Sequence, residues 1–174
     1  MSRVLLPEDD PRCEALEREP TKTVVGFLRS IGIEVRPAVL EGKTFVPGIA
    51  IGSGAMFVDP ERLVHPGDLL HEAGHLAVLA PEEREAETPA CDAAGELGAI
   101  AWSWAALVHL GLPPEVVFHA EGYRGGSRSI IENFSTGHTF GVPWLAYLGL
   151  TNERRRDEAP EAPVYPAMQR WLRV

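Results

Sequence analysis

Residues 89–110, PACDAAGELGAIAWSWAALVHL, narrow the possible folds of this chain more than any other segment. Ile100, Ala101, Trp102, Trp104, Ala105, Leu107 and Val108 leave almost no polar face at helical spacing. A helix that is apolar nearly all round must be enclosed by other elements, so 89–110 is expected to be the central, most buried helix. Thr88-Pro89 offers an N-cap with Pro at the first helical position, and Gly111 offers a stop. The chain has 174 residues, 45% hydrophobic and 24% charged, which suffices for one domain with a core of its own. No metal or disulfide is needed to hold such a fold together.

Around that helix the hydrophobic period changes twice. Residues 1–20 are polar, acidic and punctuated by Pro, and are expected to form an arm or a short capping segment. From 21 to 31, Val24, Val25, Phe27, Leu28 and Ile31 recur at helical spacing, and Gly32 ends the run. Ile33, Val35 and Val39 then alternate with polar or small neighbours, as in a half-buried strand. Residues 45–51 predict a second strand, broken by Pro47-Gly48, and Ala55-Met56-Phe57-Val58 a third. Pro66-Gly67-Asp68 opens a helix over 67–80, whose apolar face is Leu69, Leu70, Ala73, Leu76 and Ala77. After 110, Pro113-Pro114 is expected to start a helix reaching about Tyr123, and 127–134 another. NERRRDEAPEAP, residues 152–163, reads as a solvated linker, and 165–174 as a terminal docking helix. The expected organisation is an arm (1–20), a single domain (21–150), and a charged linker with a docking segment (151–174).

The charge bears on partners. Sixteen Lys+Arg against 25 Asp+Glu give a net charge of -9, which argues against nucleic acid and against anionic membranes. Cys13 and Cys91 are too few for a disulfide framework or a four-thiolate zinc site. The start MSRVLLPEDDPRCE lacks the apolar run of a signal peptide, so the expected address is the cytoplasm.

His71-Glu72-Ala73-Gly74-His75 spells H-E-x-x-H in the middle of an expected helix. Residues four apart share a helix face, so both imidazoles can reach one zinc ion. Glu72 lies about 100° round the helix from His71. It is badly placed as a ligand of the same set and well placed to take a proton from a water beside the metal. The plainer alternative is a helix that happens to expose two histidines and a glutamate. Gly74 costs helix stability relative to Ala and points to close packing there. A catalytic zinc site usually takes three protein ligands. Glu96 is the candidate for the third, because a carboxylate within GELGAIAWSW needs a partner. The alternative for Glu96 is a solvent-facing position. Asp92 is either an acceptor for a ligand histidine's second nitrogen or a first-turn charge facing the helix dipole.

These residues resemble the zincin metallopeptidases, and the gluzincin branch in particular. The resemblance spans about residues 55–105: AMFVDP, ERLVHPGD, LLHEAGHLAV and the next helix with Glu96. The order of strand, Pro-containing loop and HExGH helix looks most like the small cytoplasmic ImmA/IrrE-type metallopeptidases. The segment LAVLAPEEREA after His75 lacks the Gly and third His of a metzincin. Larger gluzincins carry an acidic residue one turn after the ligand Glu, where this chain has Ile100. The resemblance implies Zn2+ bound by His71, His75 and Glu96, with Glu72 as general base and acid.

The expected fold is α+β: a small twisted sheet from 33–58 packed on the H-E-x-x-H helix, closed by a further helical layer carrying Glu96. The expected function is a zinc-dependent hydrolase, foremost a metallopeptidase acting on a peptide or protein substrate. An oxyanion-stabilising group is sought among His119, Tyr123, His138 and Arg124, in and near the glycine-rich region after the ligand helix. The strand near Pro47-Gly48 is a candidate edge for an added peptide strand. Two other functions fit the same residues: a zinc-binding zincin-like regulatory or interaction protein without protease activity, and a metal-free helical interaction domain.

Overall fold

The computed structural model describes residues 2–7, 9–153 and 163–174. The chain folds as mixed α+β. Strands β1 (Arg3–Leu5), β2 (Glu34–Leu40), β3 (Ile49–Gly52) and β4 (Ala55–Val58) form one sheet in the order β1-β2-β4-β3. β2 runs parallel to β4, and the outer pairs are antiparallel. Helix α1 (Thr21–Ser30) precedes β2, and α2 (Asp68–Val78) follows β4. A single helical turn, α3 (Pro81–Arg84), leads to α4 (Ala93–Leu110), α5 (Ser127–Ser135) and α6 (Val142–Tyr147).

The sheet expected over 33–58 is present, with one addition and one change. The first residues add a strand to the sheet: Arg3 pairs with Leu40 and Leu5 with Ala38, while Leu16 in the 3-10 turn Pro11–Glu17 is buried. Strand β2 is also not simply half-buried. Val35, Ile49, Met56 and Val58 face the helices. Ala38, Leu40, Ala55 and Phe57 form a small second cluster on the other face. The Arg3 guanidinium lies 3.9 Å over the Phe57 ring and covers it. Pro47-Gly48 forms a turn with Gly48 at φ 75°, so the second strand shrinks to Ile49–Gly52 at the sheet edge.

Helix α4 is the central element. Ala99, Ala101, Trp102, Ala105 and Ala106 are wholly buried, and Gly111 ends the helix at φ 66°. Its start is four residues later than Thr88-Pro89 suggests. The Asp92 carboxylate accepts a hydrogen bond from the Gly95 backbone N–H at 2.8 Å, and a capped start there outcompetes the Pro signal.

Helices α2 and α4 pack antiparallel. Gly74 lies against Ala99, and Val78 against Gly95 and Gly98. A Cβ at position 74 would stand 2.8 Å from the Ala99 carbonyl oxygen and 2.9 Å from its Cα, so the contact is backbone to backbone. Gly74→Ala therefore has no side-chain rotation to relieve it. Overpacking costs about 1–3 kcal/mol, set against at most about 1 kcal/mol of helix propensity gained. The urea midpoint should fall; an equal or higher midpoint would contradict this packing.

The C-terminal half departs from the expected helices in two places. After Pro113 there are only two 3-10 turns, Pro114–Val116 and Tyr123–Gly125, joined by irregular chain. The end segment is not a helix, because its N–H groups bond outward. Tyr165 N–H donates to Asn152, Gln169 N–H to Leu150 and Arg173 N–H to Ala77. The expected linker falls mostly at 154–162, outside the described residues. Among the described residues no helix is long and apolar enough to cross a membrane.

Candidate metal centre

Helix α2 turns its apolar face, Leu69, Leu70, Ala73, Leu76 and Ala77, fully into the core. That burial fixes the rotation of the helix and leaves His71 and His75 on the face toward the first turn of α4. Their side chains are only 12% and 10% exposed. Their Nε2 atoms are 3.1 Å apart, with the rings edge to face. Two nitrogens held about 2.0–2.1 Å from one tetrahedral ion stand roughly 3.3 Å apart, so the pair is already near ligand spacing.

Glu96 brackets both. Oε1 lies 3.5 Å from His71 Nε2, and Oε2 lies 3.4 Å from His75 Nε2. Because α4 begins at Ala93, Glu96 sits in its first turn rather than mid-helix. Its side chain is 48% exposed, so the site opens to solvent on the Glu96 side. His71, His75 and Glu96 are thus brought together as a group that could hold a metal ion.

The electrostatics suit such an ion. Burial, helped by His75, lowers the His71 pKa to about 3, and burial lowers His75 to about 4. Both rings are therefore neutral near pH 7, with lone pairs to donate. Their second nitrogens differ. His75 Nδ1 is 2.9 Å from Cys91 Sγ, while His71 Nδ1 is buried and finds no hydrogen-bond partner among the described residues. Two facing neutral imidazoles beside a carboxylate form a donor set that could hold a metal ion through the two Nε2 atoms.

Glu72 lies one residue round the helix. Burial, with repulsion from Asp68 and Glu96, raises its pKa to about 7. Asp92, weighed as an acceptor for a ligand histidine, instead caps α4, and Cys91 stands beside His75 Nδ1. Nothing local in the sequence marks Cys91, because the irregular chain after α3 carries it there.

Of the oxyanion candidates, Tyr123 alone reaches the pair. Its ring packs edge to face on His71 at 5.3 Å, and its hydroxyl is buried without a partner among the described residues. Burial and the charges of Asp68, Glu96 and Glu72 push its pKa up. Its φ is 52°, a left-handed conformation costly for a residue with a Cβ. His119 pairs instead with Asp68 at 3.0 Å. His138 and Arg124 are exposed, with His138 bonded to Thr136.

No protein-family model, curated protein or solved structure matches this chain.

Proposed function

We propose that this protein is a zinc-dependent hydrolase acting on peptides, with a zincin-like arrangement of sheet, H-E-x-x-H helix and ligand helix. One observation carries the reading. His71 and His75 stand 3.1 Å apart at Nε2, both neutral and both bracketed by Glu96. Zinc held there would supply Lewis-acid activation of a water and polarise a substrate carbonyl.

The protein's own groups would do the rest. Glu72, nearly buried and close to neutral pKa, takes a proton from the attacking water as its oxygen adds to the carbonyl carbon. It then passes that proton to the amine nitrogen as the C–N bond breaks. Tyr123, with a buried hydroxyl that lacks a partner, is the donor for the developing oxyanion. The sheet edge β3 would align the substrate as an added strand. The Ile49 N–H already bonds to Val46, the Ser53 N–H to Ala86 and the Gly54 N–H to Arg84, which leaves Ile51 as the edge position for that role.

Metal analysis of the full chain tests this. Reconstitution should load zinc, and His75→Ala should lose one equivalent together with hydrolysis of a peptide library. A zinc content unchanged by His75→Ala would sink the proposal. Zinc bound with no cleavage of any peptide would replace it by the binding-module reading.

A further inference from the structure

The thiol of Cys91 borders the metal centre, and the hydrolytic reading leaves it without a role. Its Sγ lies 2.9 Å from His75 Nδ1, the ring nitrogen that does not face His71. The same sulfur is 3.6 Å from the Asp92 carbonyl oxygen, which can only accept a hydrogen bond. Gly95, in the first turn of α4, makes room for it: a Cβ there would stand 2.6 Å from Cys91 Sγ. Burial, with Glu96, Asp92 and Glu72 nearby, pushes the Cys91 pKa up to about 11. The group is therefore a thiol near pH 7, with one hydrogen to give and sulfur lone pairs to accept.

The direction of the contact follows from where each hydrogen can go. Ring nitrogens 3.1 Å apart hold one hydrogen between them, so one histidine carries its hydrogen on Nε2 and the other on Nδ1. If Cys91 donated to His75 Nδ1, His75 would be protonated at Nε2 and His71 at Nδ1. The His71 Nδ1–H would then be buried with no acceptor among the described residues, which is the costly kind of unmet group. In the other direction every hydrogen is placed. The His71 Nε2–H donates to His75 Nε2, the His75 Nδ1–H to Cys91 Sγ, and the thiol S–H to the Asp92 carbonyl. Only a lone pair on His71 Nδ1 goes unmet.

We infer that Cys91 is a positioning residue of the metal centre: its sulfur accepts the His75 Nδ1–H and thereby fixes the tautomer that leaves the Nε2 lone pair free for an ion. This role rests on the hydrolase reading only for the ion itself, because the tautomer belongs to the metal-free chain. Such partners are commonly carboxylates, carbonyls or water. A thiol is a weaker acceptor, and here it is seated by the space at Gly95. The two histidines are thereby made unequal. His75 is set for the ion beforehand, whereas His71 must move its hydrogen to Nδ1, where no acceptor waits among the described residues. His75 is the anchoring ligand of the pair.

The experiment is nitrogen NMR of the full metal-free chain with labelled histidine, the His75 signals being those that His75→Ala removes. Wild-type His75 should be protonated at Nδ1 alone. Cys91→Ala should give a mixture of tautomers, and should weaken zinc binding, read by competition with a chromophoric chelator, by about tenfold. Cys91→Ser, whose hydroxyl can still accept, should restore the tautomer and bring zinc affinity back to within about threefold of wild type. Should Cys91→Ala unfold, Gly95→Ala takes its place, since it keeps the thiol but crowds it out of reach. Wild-type His75 protonated at Nε2 would overturn the role, as would a Cys91→Ala chain with the wild-type tautomer or with unchanged zinc affinity. A wild type that binds no zinc, with a tautomer that Cys91→Ala shifts, would remove the hydrolase reading and keep the hold of Cys91 on His75. Zinc bound with a tautomer that no substitution moves would do the reverse.

Discussion

Glu72→Gln is expected to lower kcat for peptide hydrolysis by about 10²- to 10⁴-fold while leaving the zinc content unchanged. The amide keeps the volume and polarity of the carboxyl but cannot accept the proton of the attacking water. Metal content should survive because Glu72 is one position, about 100°, round the helix from His71. Glu72 is also absent from the group that closes on the two Nε2 atoms. The two readouts separate the roles: peptide cleavage followed by mass spectrometry reports the base, and metal analysis reports the ligands. Cleavage at the wild-type rate would remove Glu72 from the chemistry. Loss of zinc would instead make it a ligand and overturn the division of labour proposed here.

Trp102→Ala is expected to be the most damaging core substitution, at about 3–5 kcal/mol. Trp102 is fully buried on α4. Its ring meets Phe27 at 6.1 Å and Trp171 at 5.4 Å, so it joins α1, α4 and the C-terminal segment. Its indole N–H donates to the Trp171 carbonyl at 2.9 Å. Truncation would leave a cavity among three elements and strip that carbonyl of its partner. A domain of this size is stable by only about 5–15 kcal/mol, so much of the margin would go. Urea unfolding should show a lower midpoint at an unchanged slope. A loss under about 1 kcal/mol would mean the segment is not seated as described.

The readable parts of the site and fold are those decided by residues close in sequence. The H-E-x-x-H spacing placed His71 and His75 on one face of a helix whose apolar stripe is buried as its period requires. Ala55–Val58 was legible from four apolar residues between a Ser-Gly turn and Asp-Pro, and Gly111 marked a helix end. Glu96 was singled out by cost, as a lone carboxylate in an apolar run, and it does meet both histidines. Its half-exposed position, however, follows from the helix starting at Ala93, which is set by the Asp92 cap.

What stayed hidden was settled by contacts between segments far apart in the chain. β1 is three residues of no particular pattern that become a strand because β2 presents an open edge. The terminal segment takes turns instead of a helix because Asn152, Leu150 and Ala77 offer acceptors to its backbone. Cys91 beside His75 and Tyr123 over His71 come from loops whose paths no local period describes. The sequence by itself determined the α2 helix, its two facing histidines and the enclosure of α4, since helical period and burial of apolar faces act between near neighbours. Only the tertiary structure decided what surrounds those histidines, since loop paths follow from how packed elements leave backbone and polar groups to be satisfied.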